Sequence, residues 1–82
     1  MERDYAVSLV LAELESATAK NGSFKSAHEG YAIILEEMDE LKEEVWKNPK
    51  KSVGEGGRSL PKMTAEAKQV AAMALRFLID VC

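Results

Sequence analysis

The sequence predicts an all-α fold in which three helices form one compact domain over residues 1–82. Two long segments carry apolar residues at steps of three and four, the spacing of helices with one buried face. Another helical segment comes before these two in the chain, and a polar, glycine-rich stretch lies between the two. We expect the second and third helices to pack antiparallel because their connection is short, and we expect helix packing between copies of the chain to complete the fold.

The first predicted helix covers about residues 3–20, and its apolar face is broad rather than sharply defined. The Asn21-Gly22 pair is a typical helix stop, since glycine readily adopts the conformation that ends a helix. Ser26 and Glu29 then have the spacing of a capping box, in which each side chain accepts a hydrogen bond from a backbone N–H. We therefore expect the second helix to begin at Ser26.

The second helix should end near Lys47, because Asn48-Pro49 discourages continuation. Residues 48–60 are predicted to form a flexible, polar inter-helix loop whose glycines lack the spacing of a phosphate-binding P-loop. The third helix should open at Pro61 or Thr64 and reach about residue 81. The apolar face of the second helix comprises Tyr31, Ile34, Met38, Leu41 and Val45.

Composition limits the possible functions. The chain has 82 residues, of which 46% are apolar, so its isolated core would be small and a homodimer or homotetramer is expected. Its net charge of −3 argues against a broad basic surface, and no specific nucleic-acid partner is implied. The lone Cys82 excludes an intrachain disulfide. No apolar run reaches membrane-spanning length, and the charged start is unlike a signal peptide, so we expect a cytoplasmic protein without a membrane partner.

Six carboxylates lie between Leu35 and Val45 on the second helix. Like charges at this density repel one another, so they require either open solvent or a cation. At about 100° per residue, Glu37 and Glu44 lie beside the apolar face and Glu40 lies somewhat further round. The remaining acids, which should face solvent, are Glu36, Asp39 and Glu43.

Two carboxylates one turn apart, opposed by oxygen-bearing side chains on a neighbouring helix, are a suitable site for Mg²⁺, and Mn²⁺ is also possible. An acidic helix exposed to solvent is the alternative, because such helices are common. Spacing alone does not choose between these two interpretations.

The segments Glu37-Met38-Asp39-Glu40 and Glu66-Ala67-Lys68-Gln69 resemble motifs of the MazG-like all-α nucleoside triphosphate pyrophosphohydrolases. The similarity extends over about residues 28–81. Members of this family use E-x-x-E followed by E-x-x-D to bind Mg²⁺, and they cleave nucleotides to the monophosphate and pyrophosphate. The resemblance therefore implies a metal site made by Glu37, Glu40, Glu66 and Gln69.

Gln69 stands where the family motif has aspartate. An amide can coordinate a cation through its carbonyl oxygen, but it supplies no negative charge and cannot act as a carboxylate base. Glu44, one turn beyond Glu40, is a nearby substitute acid. The resemblance implies direct attack by water on a nucleotide phosphorus, with Glu40 or Glu44 as the catalytic residue that positions or deprotonates this water.

Several basic residues near the inter-helix loop are candidates for contact with substrate phosphates, or else ordinary solvent-facing charges. They are Lys47, Lys50, Lys51, Arg58 and Lys62. His28 is expected at a helix start rather than in a metal site, since it has no companion histidine. Tyr31 and Trp46 are expected to pack in the core or between subunits rather than on a base.

The sequence thus predicts a magnesium-dependent nucleotide pyrophosphohydrolase that forms a helical homo-oligomer and takes a nucleotide as its substrate. The alternative is a noncatalytic helical oligomerisation or interaction protein with the same fold. Gln69 is the residue on which the choice depends, because the predicted metal site has one carboxylate fewer than the family motif.

Overall fold

A computed structural model describes all 82 residues and contains three α-helices and no strand. Helix α1 spans Arg3–Asn21, α2 spans Ala27–Val45 and α3 spans Leu60–Asp80, with a short 3-10 turn at Val53–Glu55 between α2 and α3. The predicted all-α fold class is confirmed. None of the helices combines the length and apolar character that crossing a membrane requires.

Local sequence sets the junction between α1 and α2. Helix α1 ends at Gly22, whose N–H donates to the Thr18 carbonyl oxygen at 3.2 Å. Ser26 caps α2, and its Oγ accepts from the Glu29 N–H at 3.0 Å. The Glu29 carboxylate in turn accepts from the Lys25 N–H at 3.1 Å, one residue before the position expected for a capping box. The predicted start of α2 is correct to within one residue.

Helix α3 starts at Leu60, one residue before Pro61. Ser59 provides the cap, because its Oγ accepts from the Lys62 N–H at 3.3 Å. Pro61 then occupies a first-turn position where its missing N–H costs no hydrogen bond. This start fixes the phase of α3 and hence the direction in which its later polar side chains point.

The helices α1 and α2 both pack on α3, while their own backbones stay apart. Helix α2 lies antiparallel to α3, as predicted, and places Gly30 beside Phe77 near the end of α3. Helix α1 runs parallel to α3, with Val10 near Ala67 and Glu13 bonded to Gln69. The result is a groove between α1 and α2 whose floor is α3.

The hydrophobic core is small and lies at the end of this groove. Its buried members are Ala17, Phe24, Ala72 and Met73. Gly30 allows α2 to approach closely, since an added Cβ would lie 2.7 Å from the Phe77 ring. The half-buried side chains that surround the core are Val10, Leu14, Ile33, Ile34, Phe77 and Val81.

An apolar patch on the outer side of α2 and α3 is left uncovered. Its members, which we call the apolar patch, are Tyr31, Ile34, Leu35, Met38 and Phe77. Tyr31 is 56% exposed and Leu35 is 49% exposed, so this face contributes little to the core of one chain. Exposed apolar side chains that lie next to one another in this way are a candidate surface for contact with another protein.

The connection between α2 and α3 has defined backbone hydrogen bonds. The Asn48 carbonyl oxygen accepts from the Arg58 N–H at 2.9 Å, and the Ser52 carbonyl oxygen accepts from the Gly57 N–H at 2.8 Å. Gly57 has no space for a side chain, because a Cβ there would collide with the carbonyl group of Lys51. The closely approaching backbone segments set where α3 begins relative to the end of α2.

Candidate functional site

Three carboxylates meet where α2 crosses the first half of α3. Glu37 and Glu40 lie one turn apart on α2, and Glu66 faces them from α3. One carboxylate oxygen from each lies within 4.8 Å of the other two. We call these three residues the acidic cluster. The antiparallel packing of α2 on α3 therefore brings together three of the four metal ligands that the sequence predicts.

The carboxylates of the acidic cluster repel one another and are partly shielded from water. Partial burial raises the pKa of Glu37 to about 7, and the charges of Glu40, Glu66 and Glu36 and a hydrogen bond with Glu40 add to this effect. Burial also raises the pKa of Glu66, with further contributions from Glu40 and from the charges of Glu44 and Glu43. Keeping all three carboxylates ionised therefore costs free energy, and binding of a proton or a cation would lower that cost.

No basic side chain neutralises the acidic cluster. The ion pairs of the chain join Arg3 to Asp4, Lys47 to Glu44, Lys68 to Glu13 and Arg76 to Asp80. None of them includes a carboxylate of the cluster. The unbalanced charge is thus available to a cation from solvent.

The donor set of the acidic cluster fits Mg²⁺ or Mn²⁺. Three carboxylate oxygens are hard donors, and a site with few protein ligands leaves positions for water and phosphate oxygens. Two oxygens bound to one Mg²⁺ lie at most about 4.2 Å apart, slightly less than the 4.8 Å limit observed here. Since Glu40 is exposed and the other two are half-buried, small side-chain rotations would close the site.

Gln69, the fourth predicted ligand, follows Glu66 by one turn on α3. Its Nε2 donates to Glu13 Oε1 at 3.0 Å, and this carboxylate also lies 4.0 Å from Lys68 Nζ. The amide nitrogen is thus held by α1, which leaves the carbonyl oxygen as the free end of the side chain. The sequence did not predict the role of Glu13, because the apolar face of α1 is too broad to show which of its polar residues meet α3.

Glu44, the predicted substitute acid, lies in the last turn of α2 and forms an ion pair with Lys47, just beyond the end of the helix. Both of its carboxylate oxygens accept from Lys47 Nζ at 3.0 Å. Its charge still contributes to the raised pKa of Glu66, so it lies near the acidic cluster. Of the two predicted catalytic acids, Glu40 belongs to the cluster and Glu44 is engaged by a lysine.

The predicted phosphate-binding residues have different environments. Lys47 is bound to Glu44, and Arg58 donates from Nε and Nη2 to the Val45 carbonyl oxygen at 3.2 and 2.7 Å, which caps the end of α2. The others, which are exposed, are Lys50, Lys51 and Lys62. Two of the five predicted residues are thus bound within the chain, and three are exposed.

A cavity of about 400 Å³ occupies the groove between α1 and α2 beside the acidic cluster. We call it the inter-helix cavity. Glu37 belongs both to the cavity wall and to the cluster, so the two are continuous. Asn21 and Phe24 border it at the α1–α2 junction, and Gln69 and Arg76 line it from α3. Of its polar members, Glu37 and Gln69 were predicted as metal ligands. The sequence did not predict that Asn21 and Arg76 would join them.

Arg76 is the most unusual residue of this cavity. Its side chain is 4% exposed, and its Nε has no hydrogen-bond partner. Nε lies 3.4 Å from Asp80 Oδ2 in an ion pair, and the same oxygen accepts a hydrogen bond from the Phe24 N–H at 2.9 Å. The guanidinium carbon lies 4.4 Å from the centre of the Phe24 ring. Arg76 thus has a charge partner and an aromatic neighbour but retains an unused donor.

The remaining candidates lie outside the acidic cluster and the inter-helix cavity. His28 is exposed in the first turn of α2. Tyr31 belongs to the apolar patch. Trp46 is 75% exposed, with Lys42 Nζ 5.7 Å from its ring centre. Neither aromatic side chain packs in the core of the single chain.

Comparison of the chain with protein-family models, curated proteins and solved structures finds no match. The functional assignment therefore depends on the motif residues and on the geometry of the acidic cluster.

Proposed function

We propose that this protein hydrolyses a nucleoside triphosphate, or a related nucleotide, to the monophosphate and pyrophosphate with the help of Mg²⁺. The observation that carries the proposal is the acidic cluster, where Glu37, Glu40 and Glu66 converge from two helices without a basic partner. The resemblance of the two glutamate segments to the MazG-like motifs supports the same reaction. Mn²⁺ would suit the same oxygen donors.

In the proposed mechanism, Glu37, Glu40 and Glu66 would hold the cation, and Gln69 would add a neutral carbonyl oxygen. Mg²⁺ would neutralise part of the phosphate charge and make the attacking water easier to deprotonate. Glu40 would position this water and accept its proton, because Glu44 is already bound to Lys47. The water oxygen forms a bond to phosphorus as the bond to the pyrophosphate oxygen breaks, the proton passes on to solvent, and no covalent protein intermediate forms.

The direct test incubates the purified protein with a panel of nucleoside triphosphates and Mg²⁺, and it measures the monophosphate and pyrophosphate together. Glu37→Gln and Glu66→Gln should each lower kcat/KM by about 100-fold or more, since each removes a charged ligand. Glu43→Gln is the matched control because Glu43 is exposed on the same helix outside the cluster. Absence of both products from folded protein would overturn the proposal.

The second candidate function is that of a noncatalytic helical interaction protein. Gln69 favours it, because its amide is bound to Glu13 and brings no charge to the acidic cluster. Calorimetry separates the candidates: a catalytic site should bind Mg²⁺ through the cluster, and binding should raise the melting temperature. A folded protein with neither metal binding nor hydrolysis would favour the interaction role.

We also propose that the chain functions in the cytoplasm as a homodimer or homotetramer. The apolar patch supports assembly, because three of its side chains, Tyr31, Leu35 and Met38, are about half exposed to solvent. Light scattering across a concentration series measures the mass. Leu35→Glu should shift an oligomer toward monomer, while a wild-type protein that stays monomeric at all concentrations would contradict assembly.

A further inference from the structure

We propose that the inter-helix cavity binds the base of the nucleotide through Arg76, and that it selects bases presenting two adjacent hydrogen-bond acceptors. This inference rests on the proposed function, because the acidic cluster would hold the phosphates of the same molecule. The relevant bases are the 6-oxopurines, with O6 and N7, and cytosine, with N3 and O2.

The terminal amino groups of Arg76 are the donors available to a ligand. The guanidinium carbon lies 4.4 Å from the centre of the Phe24 ring, and both residues line the cavity. A guanidinium donates hydrogen bonds in its own plane, so an aromatic ring over its face would leave its donors free. Nε is enclosed by the protein and lies 3.4 Å from Asp80 Oδ2, so the donors left for a bound molecule are those of Nη1 and Nη2.

The charges around the cavity favour a neutral ligand over a phosphate. Asp80 lies 3.4 Å from Arg76 Nε and offsets the positive charge of the guanidinium. Three carboxylates, from Glu29, Glu36 and Glu37, also line the cavity. A phosphate entering here would meet more negative than positive charge. A neutral ring with acceptor atoms avoids this repulsion and still bonds to the arginine.

The volume and lining of the cavity suit a flat ring. Its volume of about 400 Å³ lies within the range of small-molecule sites. Phe24, Ile33 and Met73 provide apolar walls, and the Asn21 amide provides an additional donor and acceptor. Because Glu37 joins the cavity to the acidic cluster, one nucleotide can place its base in the former and its phosphates at the latter.

The hydrogen-bond donors of Arg76 determine which bases the cavity selects. Its parallel N–H groups pair with two adjacent acceptors, as they do with O6 and N7 of guanine. Adenine replaces the O6 acceptor by an amino donor, and uracil replaces the N3 acceptor of cytosine by an N–H donor. With either replacement, an N–H group of Arg76 would face an N–H group of the base in a buried site, and no acceptor would pair with them. Inosine with adenosine, and cytidine with uridine, are therefore matched pairs of ligands.

The test titrates isotopically labelled wild-type protein with these four nucleosides by NMR, without metal. Inosine should bind about 10-fold more tightly than adenosine, and cytidine about 10-fold more tightly than uridine, with shifts at the side-chain amides of Asn21 and Gln69. Equal or reversed affinities within the pairs, or no shifts at the cavity, would overturn the inference.

Arg76→Gln provides a second measurement. Glutamine offers one donor beside one acceptor, the pattern that pairs with adenine, so the preference for inosine should fall below about threefold or reverse. Arg3→Gln is the matched control because Arg3 is 90% exposed far from the cavity, and it should retain the wild-type preference. If Arg76→Gln retains that preference as well, the inference is wrong. If it does not fold, the wild-type titration alone decides.

These measurements separate the inference from the proposed function. Nucleosides carry no phosphate and the titration contains no Mg²⁺, so base selection is measured without hydrolysis. A protein that hydrolyses nucleotides but binds all four nucleosides equally would disprove base selection by Arg76 alone. A protein that discriminates between the nucleosides but releases no pyrophosphate would disprove the enzymatic proposal alone.

Discussion

The two halves of α3 hold charge in opposite ways. In the first half, Glu66 faces Glu37 and Glu40, and no basic side chain pairs with any of them. In the second half, Arg76 is buried beside Asp80 and against the Phe24 ring. The first arrangement has unbalanced charge near solvent, and the second has balanced charge in the interior.

This difference indicates what each region can bind. The acidic cluster lowers its free energy by taking up a proton or a cation, because mutual repulsion and partial burial raise the pKa of Glu37. The Arg76 region already has a carboxylate partner, so its charge is balanced within the protein. The first region therefore favours a cation, and the second does not.

The largest expected loss of stability comes from removing Arg76 from its ion pair with Asp80. Arg76→Ala removes the charge partner of Asp80 and the guanidinium packed on Phe24, and it leaves a hole in the interior. Loss of one member of a buried ion pair typically destabilises a protein by about 3–5 kcal/mol, so we expect a loss of about 3 kcal/mol. Urea denaturation followed by circular dichroism measures this change.

Arg3→Ala is the control for that experiment. Arg3 is 90% exposed and its pairing with Asp4 is a surface contact, so the same substitution should change stability by less than about 0.5 kcal/mol. Equal losses in the two variants would show that the Arg76 region contributes no more to stability than the protein surface.

A smaller effect is expected from pH at the acidic cluster. The pKa of Glu37 is about 7 in the folded protein, whereas its ordinary value is 4.5. Between these values the folded state binds more protons than the unfolded state, so stability should fall as pH rises from 5 to 8. Glu37→Gln should remove roughly 1–2 kcal/mol of this fall, allowing for solvent screening. Denaturation at both pH values measures it.

The matched control is again Glu43→Gln, since Glu43 is exposed on the same helix outside the cluster. This variant should retain most of the wild-type dependence on pH. Saturating Mg²⁺ should also flatten the dependence above pH 7, because a bound cation replaces the proton. A wild-type protein whose stability rises steadily from pH 5 to 8 would contradict the raised pKa of Glu37.

The same contrast explains how much of the structure the sequence predicts. The three helices follow from local signals: Gly22 ends α1, Ser26 caps α2, and Ser59 with Pro61 opens α3. These residues act on backbone groups within a few positions, so no knowledge of the tertiary structure is needed. The predicted order and packing of α2 and α3 were accordingly correct.

The acidic cluster was predicted because two of its members lie one turn apart and its third lies in a recognisable motif. The role of Arg76 and the contact of Glu13 were not predicted, for a physical reason. Arg76 contacts Phe24 at the α1–α2 junction, and Glu13 contacts Gln69, which lies 56 positions away. Such contacts depend on how α1 is placed on α3, and the weak apolar periodicity of α1 did not reveal that placement.

The smallest expected effect concerns the contact between α1 and Gln69. Glu13→Gln keeps an oxygen that can accept from Gln69 Nε2 but removes the negative charge that also attracts Lys68. We expect a loss of about 1 kcal/mol in stability by urea denaturation, because a hydrogen bond to a charged acceptor becomes a neutral one. Glu15→Gln is the control, since Glu15 is exposed on the same helix and its substitution should cost almost no stability.

The dependence of stability on pH that Glu37 causes should persist in both variants, because the raised pKa of Glu37 has no contribution from Glu13. If Glu13→Gln abolishes that dependence, the acidic cluster and the α1 contact form one charge network, and the separation drawn between the cluster and the rest of α3 is wrong.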